Sequence, residues 1–110
     1  MARFDIHNHW QWHELARQAR YNARVLSEQL QLSTRQLRRY TERIFGMSAQ
    51  RWLNNARLET AAGLLRETRS PKHVAFELGF KQLAHFSREF KLHHGLAPRE
   101  FIEWSDSQHR

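Results

Sequence analysis

The sequence predicts an all-α protein in which one long helix joins two similar helix-turn-helix subdomains. No stretch alternates polar and apolar residues as a half-buried strand does, and only two prolines and four glycines occur in 110 residues. Apolar residues recur instead at helical spacing along most of the chain. The pattern of residues 26–52 also recurs in residues 74–101, and an internal repeat of this kind indicates a duplicated structural unit.

The central helix is predicted from Ser48 to Glu67, because helix-favouring residues dominate this stretch. Ser48 can cap its N-terminus, and Pro71 lies just beyond its C-terminus. At about 100° per residue, its apolar residues form two stripes about 160° apart, each confined to one half of the helix. The first stripe contains Trp52, Leu53 and Ala56, and the second contains Leu58, Ala61, Ala62, Leu64 and Leu65. Because a helix on a single core keeps one stripe, we expect each half to pack on a different subdomain.

The first helix is predicted from Asn8 to Tyr21, on the period of its apolar residues. His9 and His13, four residues apart, have the spacing of two metal ligands on one helix face. The sequence supplies no third ligand at a matching distance, so a surface role is favoured and no metal is predicted. Trp10 and Trp12 are interpreted as a lid on the core.

The first helix-turn-helix is predicted from a short helix, Asn22 to Gln31, and a longer one, Ser33 to Phe45. The Ser33 hydroxyl can cap the longer helix, and Gly46 can end it in a left-handed conformation. One face of that helix is mainly apolar and should point inward: Leu37, Tyr40, Thr41 and Ile44. The opposite face is charged: Arg35, Arg38, Arg39, Glu42 and Arg43.

The same layout follows the central helix. A short helix is predicted from Pro71 to Leu78, with proline in its first turn. Gly79-Phe80 forms the turn, and a longer helix runs from Gln82 to His93 before Gly95 ends it. A last short helix is predicted from Pro98 to Trp104.

The two halves align with a shift of 49 residues in the longer helices, where Leu37 falls on Phe86 and Arg39 on Arg88. The shorter helices align with a shift of 48, so the second turn is predicted to be one residue longer. We therefore expect a flexible N-terminus over residues 1–7, a first subdomain over 8–47, a linker helix over 48–67, a second subdomain over 68–104 and a flexible tail over 105–110.

Composition alone fits either a nucleic-acid partner or a generally basic, soluble surface, and it does not favour catalysis. The chain has 18 Lys and Arg against 11 Asp and Glu, a net charge of +7, and the guanidinium fork binds phosphates and base edges bidentately. The absence of cysteine excludes disulfides, thiolate metal sites and a cysteine nucleophile, and it fits a reducing cytoplasm. No Ser-His-Asp set, carboxylate pair or glycine-rich phosphate loop stands out, so the sequence predicts no enzyme and no cofactor. It also shows no signal peptide or membrane-spanning stretch.

The motifs resemble the DNA-binding module of the AraC/XylS family of bacterial transcription regulators, over about Asn22 to Trp104. The second half matches the family through Val74-Ala75, Gly79-Phe80, Phe86-Ser87-Arg88, Phe90-Lys91, Gly95 and Pro98. The first half contributes Leu30, Ser33, Arg35, Leu37, Arg39, Gly46 and Ser48, and the central helix contributes Arg57-Leu58, Ala61 and Leu64-Leu65. Five positions depart from the family pattern: Ser27, Gln31, Thr41, Ala49 and Pro71. We expect the first half to pack less tightly as a result, with Tyr40 or Phe45 compensating.

The resemblance implies double-stranded DNA as the partner, with two recognition helices in successive major grooves. A helix of 20 residues is about 30 Å long, close to the roughly 34–36 Å between successive grooves, so a monomer could read both. The base-reading residues would be Arg35, Arg38 and Arg39 in the first helix and Gln82, Leu83, Ser87 and Arg88 in the second. The phosphate-binding residues would be Thr34, Arg43, Lys81 and Lys91.

Three functional interpretations remain open from the sequence. The first is a compact activator, similar to the family's stress-response activators without an effector domain, which would contact RNA polymerase on the bacterial nucleoid. The second is the isolated DNA-binding domain of a longer, ligand-responsive regulator. The third is a protein-interaction adaptor, encouraged by Trp10 and Trp12, which this interpretation expects to be exposed near the N-terminus.

Overall fold

Seven α-helices make up the fold in a computed structural model, which describes residues 9–108, with side chains from residue 11 onward. No strand occurs within these residues, in agreement with the all-α prediction. The expected flexible segment at residues 1–7 lies outside them. The helices are α1 (His9–Gln18), α2 (Ala23–Gln29), α3 (Thr34–Phe45), α4 (Ala49–Thr68), α5 (Pro71–Glu77), α6 (Leu83–His94) and α7 (Pro98–Gln108). In the described part of the chain, no helix combines the length and apolar content that a membrane span requires.

The chain divides into two units inside α4, where the first unit ends at Ala56 and the second begins at Arg57. Each half of α4 buries its own apolar stripe. In the first half, Trp52, Leu53 and Ala56 are buried, and in the second half Leu58, Ala61 and Leu65 are buried. Ala62 and Leu64 are half-buried. The two stripes of the sequence therefore correspond to two separate cores.

Local capping explains where α2 and α3 begin and end. The Asn22 side chain accepts hydrogen bonds from the amides of Arg24 and Val25 at 2.9 and 3.1 Å. Ser33 and Gln36 form a reciprocal capping box at the start of α3. Gly46 ends α3 with a φ of +71°, as predicted.

The helices α1 and α2 are shorter than predicted, because their ends are set by left-handed residues. Arg20 and Tyr21 have φ angles of +54° and +59°, so α1 stops at Gln18 rather than at Tyr21. Gln31 has a φ of +56°, and α2 ends at Gln29 rather than at Gln31. Residues other than glycine, Asn and Asp seldom adopt this conformation, so these residue types did not predict it.

The core of the first unit contains a three-ring aromatic cluster. Trp12 of α1 is fully buried and packs edge-on against Phe45 at 5.3 Å and Trp52 at 5.7 Å between ring centroids. Phe45 and Trp52 stack at 4.6 Å. Phe45 is part of this cluster and is half-buried, as is Tyr40. Trp12 is therefore a core residue and is not exposed, and the side chain of Trp10 lies outside the described residues.

The core of the second unit has a matching cluster around Phe90, which is fully buried. Its ring lies 4.3 Å from that of His94 and 5.4 Å from that of Phe101. With the shift of 49, His94 and Phe101 correspond to Phe45 and Trp52, and Phe90 corresponds to the buried Thr41. Trp12 therefore supplies to the first unit the ring that Phe90 supplies to the second.

The last helix is longer than the sequence predicted. α7 extends to Gln108 instead of ending at Trp104, so residues 105–108 are helical and not a frayed tail. Ser105 is buried. The Asp106 carboxylate accepts two hydrogen bonds from the Arg69 guanidinium, at 2.6 and 2.5 Å, which raises the pKa of Arg69 above its ordinary value. This ion pair joins the end of α4 to α7 within the second unit.

Two glycine substitutions should have opposite effects on the free energy of unfolding. Gly46→Ala should lower it by about 1–2 kcal/mol, because φ is +71° and alanine is strained there although no atom lies within 4 Å of an added Cβ. Gly63→Ala should raise it by about 0.5–1 kcal/mol, because Gly63 lies inside α4 with equally open space. Urea denaturation followed by circular dichroism measures both. Equal midpoints for the two variants would contradict the left-handed conformation of Gly46.

Candidate nucleic-acid interface

The outer face of α3 is a row of exposed arginines. Leu37 and Thr41 are buried against the rest of the first unit, which fixes the opposite face toward solvent. Three side chains on that face, Arg35, Arg38 and Arg39, follow the i, i+3, i+4 spacing of one helical surface and are exposed. Arg43 is exposed one turn further on.

Most of this charge is free of carboxylate partners. Arg38 lies 3.6 Å from Glu42 through its Nε, but both side chains are more than half exposed, at 62% and 55%, so the pair contributes at most a few tenths of a kcal/mol. No ion pair involves Arg35, Arg39 or Arg43 within residues 11–108. Three uncompensated guanidinium groups on one helix produce a positive potential that attracts a polyanion.

A shallow depression of about 380 Å³ marks the start of α3. Thr34, Arg35 and Arg38 line it. The structure thus brings the expected phosphate contact, Thr34, beside two expected base-reading arginines. Arg43 lies more than one turn beyond Arg38, apart from this group.

The exposed face of α6 is less charged and more apolar. Leu83 is 44% exposed, Arg88 is exposed and Ser87 is half-buried. Gln82 is exposed at the N-cap position and makes no side-chain capping bond. Lys81 and Lys91 are also exposed, the first just before the helix and the second in its last turn. The face carries one arginine where α3 carries four.

Equivalent turns present the two helices. α2 and α5 each have 7 residues, and α3 and α6 each have 12. The amides of Leu32 and Phe80 donate to the carbonyls five residues earlier, both at 2.9 Å. Residues 30–33 separate the first pair of helices and residues 78–82 the second, so the second turn is one residue longer, as predicted.

The second turn is also fixed from the side of α4. The Arg57 guanidinium carbon lies 3.8 Å from the centre of the Phe80 ring, a cation–π contact. Phe80 is buried and its ring lies 5.2 Å from that of Phe86. The turn before α6 is thereby held to the core of the second unit, which fixes the direction in which α6 presents its outer face.

A cavity of about 420 Å³ in the second unit adds residues that the sequence did not single out. It places Leu83 and Ser87 of α6 beside Lys72 and Arg99, which lie in the first turns of α5 and α7. Arg69 also lines it. Neither Lys72 nor Arg99 belongs to the family motifs, and only their position next to the predicted helix starts could have pointed to them.

No metal-binding group is found within the described residues. No cluster of three or more His, Cys, Asp or Glu side chains is placed to hold an ion there. His9 and His13 have the spacing of two ligands, but the side chain of His9 lies outside those residues. The ring of His13 instead lies 5.4 Å from that of Trp52.

Comparison with known proteins agrees with this arrangement. A family model described as "Helix-turn-helix domain" matches residues 26–103. The chain is 37% identical over 84 residues to the HTH-type transcriptional activator RhaS of Escherichia fergusonii, and 35% identical over 83 residues to RhaS of Escherichia coli (strain SE11). It is 34% identical over 84 residues to RhaS of Salmonella arizonae. These alignments cover 76%, 74% and 76% of the chain but only 30% of each relative. No solved structure matches significantly.

Proposed function

The chain belongs to the AraC/XylS-type helix-turn-helix family, and from that premise we propose that it binds double-stranded DNA sequence-specifically as a transcription regulator. The observation that carries the proposal is the uncompensated arginine row on α3, presented by a turn and helix pair that recurs around α6. A solvated basic face explains the charge alone. It does not explain why the same scaffold is repeated with a second exposed helix in the same setting.

Each recognition helix is proposed to enter a major groove and read base edges. Arg35 and Arg39 would donate bidentately to O6 and N7 of guanine, the commonest specific contact of arginine. Arg38, which forms an ion pair with Glu42, would contribute less to base reading. In the second half-site, Leu83 would contact a thymine methyl group, while Gln82, Ser87 and Arg88 would supply hydrogen bonds. The second half-site is therefore proposed to be read more weakly.

Phosphate contacts would hold these helices in register. The candidates are those exposed at the ends and edges of the two helices: Thr34, Arg43, Lys81 and Lys91. They carry no sequence information themselves, so their loss would weaken binding to every duplex alike.

The relatives named above are activators, and we propose activation through contact with RNA polymerase, on the nucleoid in the bacterial cytoplasm. One chain contains both recognition helices, so a monomer is proposed to suffice for DNA binding. The chain spans about 30% of the length of those relatives, which favours, as a second candidate, the DNA-binding part of a longer regulator. The adaptor hypothesis was based on Trp10 and Trp12, and Trp12 is buried, so its ring is not available to a partner.

Selection of bound sites from random duplexes tests the proposal. We expect two enriched blocks about one helical turn apart, one with guanines and one with thymines. On the selected site, log affinity should fall linearly with log salt, with a slope of about −0.9 for each phosphate neutralised. Enrichment of no sequence, or an affinity that does not depend on salt, would refute the proposed function.

A further inference from the structure

The cavity in the second unit lies where three helices begin. Pro71 and Lys72 come from the start of α5, Leu83 from the start of α6, and Pro98 and Arg99 from the start of α7. Its volume of about 420 Å³ is open to a ligand rather than filled by side chains. Because Leu83 is proposed to face a base, whatever occupies the cavity lies next to the DNA.

Two cations in the cavity have no carboxylate partner. The third, Arg69, is neutralised by its two hydrogen bonds with Asp106. Lys72 and Arg99 are exposed, and neither forms an ion pair within residues 11–108. The nearby carboxylate of Glu100 accepts a hydrogen bond from the Ala97 amide at 2.9 Å. Two uncompensated positive charges therefore remain at the cavity wall.

The internal repeat shows that this charge is particular to the second unit. Arg99 corresponds to Gln50 of the first unit, with the shift of 49 residues. The Gln50 amide donates to the Tyr21 carbonyl and accepts from the Ala23 amide, both at 2.9 Å. Ala23 corresponds to Pro71, which has no N–H to donate. In the second unit, Arg99 thus replaces the Gln50 side chain that ties the start of α2 to α4. At the start of α5, Pro71 also lacks the backbone N–H that Ala23 donates in the first unit.

The second cation differs from its counterpart in the same way. Lys72 corresponds to Arg24, which lies 3.6 Å from the carboxylate of Glu28. The residue that corresponds to Glu28 is Phe76, which carries no charge. In the second unit, the hydrogen bonds of Gln50 and the pairing of Arg24 with Glu28 thus have no counterpart, and two cations line the cavity without a carboxylate partner among the described residues.

We propose that Lys72 and Arg99 bind a backbone phosphate of the DNA in this cavity, beside the base read by Leu83 and Ser87. The proposal rests on the proposed DNA-binding function. Lys72 and Arg99 act as positioning residues: two charge-assisted contacts hold the phosphodiester and compensate for the weak, largely apolar base contacts of α6. The first unit, which reads with several arginines, lacks this clamp.

The test is the salt dependence of binding by the double variant Lys72→Gln/Arg99→Gln. Loss of the two cations that neutralise one phosphate should reduce the magnitude of the slope of log affinity against log salt by about 0.9, the contribution of each neutralised phosphate. Affinity should fall by similar factors on the selected duplex and on a scrambled one, and the thermal unfolding midpoint should stay unchanged. The matched control Arg17→Gln/Arg66→Gln removes the same charge from exposed sites outside the cavity and should leave the slope within about 0.5 of that of the parent protein.

Different failures have different meanings. If the parent protein binds no duplex, the proposed function is wrong. If it binds but the cavity variant keeps the parent slope, or changes it no more than the control does, the phosphate clamp is wrong. Titration of inorganic phosphate at constant ionic strength separates a small-anion site from a DNA contact. Saturable phosphate binding that the cavity variant loses, together with an unchanged DNA slope, would overturn the proposal.

Discussion

Replacing Trp12 by alanine is expected to lower the free energy of unfolding of the first unit by about 3–5 kcal/mol, the usual cost of truncating a fully buried large aromatic side chain. Trp12 is 0% exposed and contacts both Phe45 and Trp52. Because Thr41 stands where the second unit has Phe90, no equivalent ring is available to fill the space. Urea denaturation followed by circular dichroism measures the loss, which is a large fraction of the stability of a small domain.

Two tryptophan variants serve as controls. Trp104→Ala removes a ring that is 48% exposed in the second unit and should cost about 1 kcal/mol or less. Trp12→Phe keeps an aromatic ring in the cluster and should recover most of the lost stability. If Trp12→Ala and Trp104→Ala unfold at the same urea concentration, α1 does not contribute the core ring that we assign to it.

The elements that the sequence predicted well are those defined by local chemistry. A serine hydroxyl, a C-terminal glycine or a proline in the first turn acts within a few residues, so Ser33, Gly46 and Pro71 fixed their helix ends correctly. The repeat added a check, since each prediction for one half had to hold for the other. Because the repeat indicated two units, the two apolar stripes of α4 could be assigned to two cores.

The features that residue spacing did not specify depend on contacts between residues distant in sequence. The burial of Trp12 requires Phe45 and Trp52, 33 and 40 residues away. The extra turn of α7 accompanies the pair between Asp106 and Arg69, which are 37 residues apart. Helical period cannot reveal either contact, because it describes one element and not its neighbours.

The candidate interface also has features that the sequence predicted and features that it did not. That the arginine face of α3 points outward follows from its apolar stripe, and the exposure of its arginines agrees with this. Two other features are seen only in the structure: the pairing of Arg38 with Glu42, and the grouping of Lys72 and Arg99 with Leu83. Surface partners of long, flexible side chains are set by local geometry that residue spacing only restricts.

Removing both Arg35 and Arg39 should have the largest effect on DNA binding. Each base-reading arginine is expected to contribute about 1–3 kcal/mol on its selected site, so Arg35→Ala/Arg39→Ala should lose about 2–6 kcal/mol if the two act independently. Both side chains are exposed and without ion pairs in the part of the chain that the structure describes, so the folded state should lose little stability. Equilibrium binding to the selected duplex and to a scrambled duplex at fixed salt measures the effect.

Lysine substitutions separate base reading from simple charge. Arg35→Lys/Arg39→Lys keeps both positive charges but loses the planar fork that matches O6 and N7 of guanine. If the two arginines read bases, this variant should bind the scrambled duplex and respond to salt as the parent protein does, while losing most of the preference for the selected site. The alanine variant should lose affinity on both duplexes and more on the selected one. Unchanged discrimination in the lysine variant would instead make Arg35 and Arg39 phosphate contacts, and the specificity of the first half-site would then have to come from Arg38 or from the shape of the DNA.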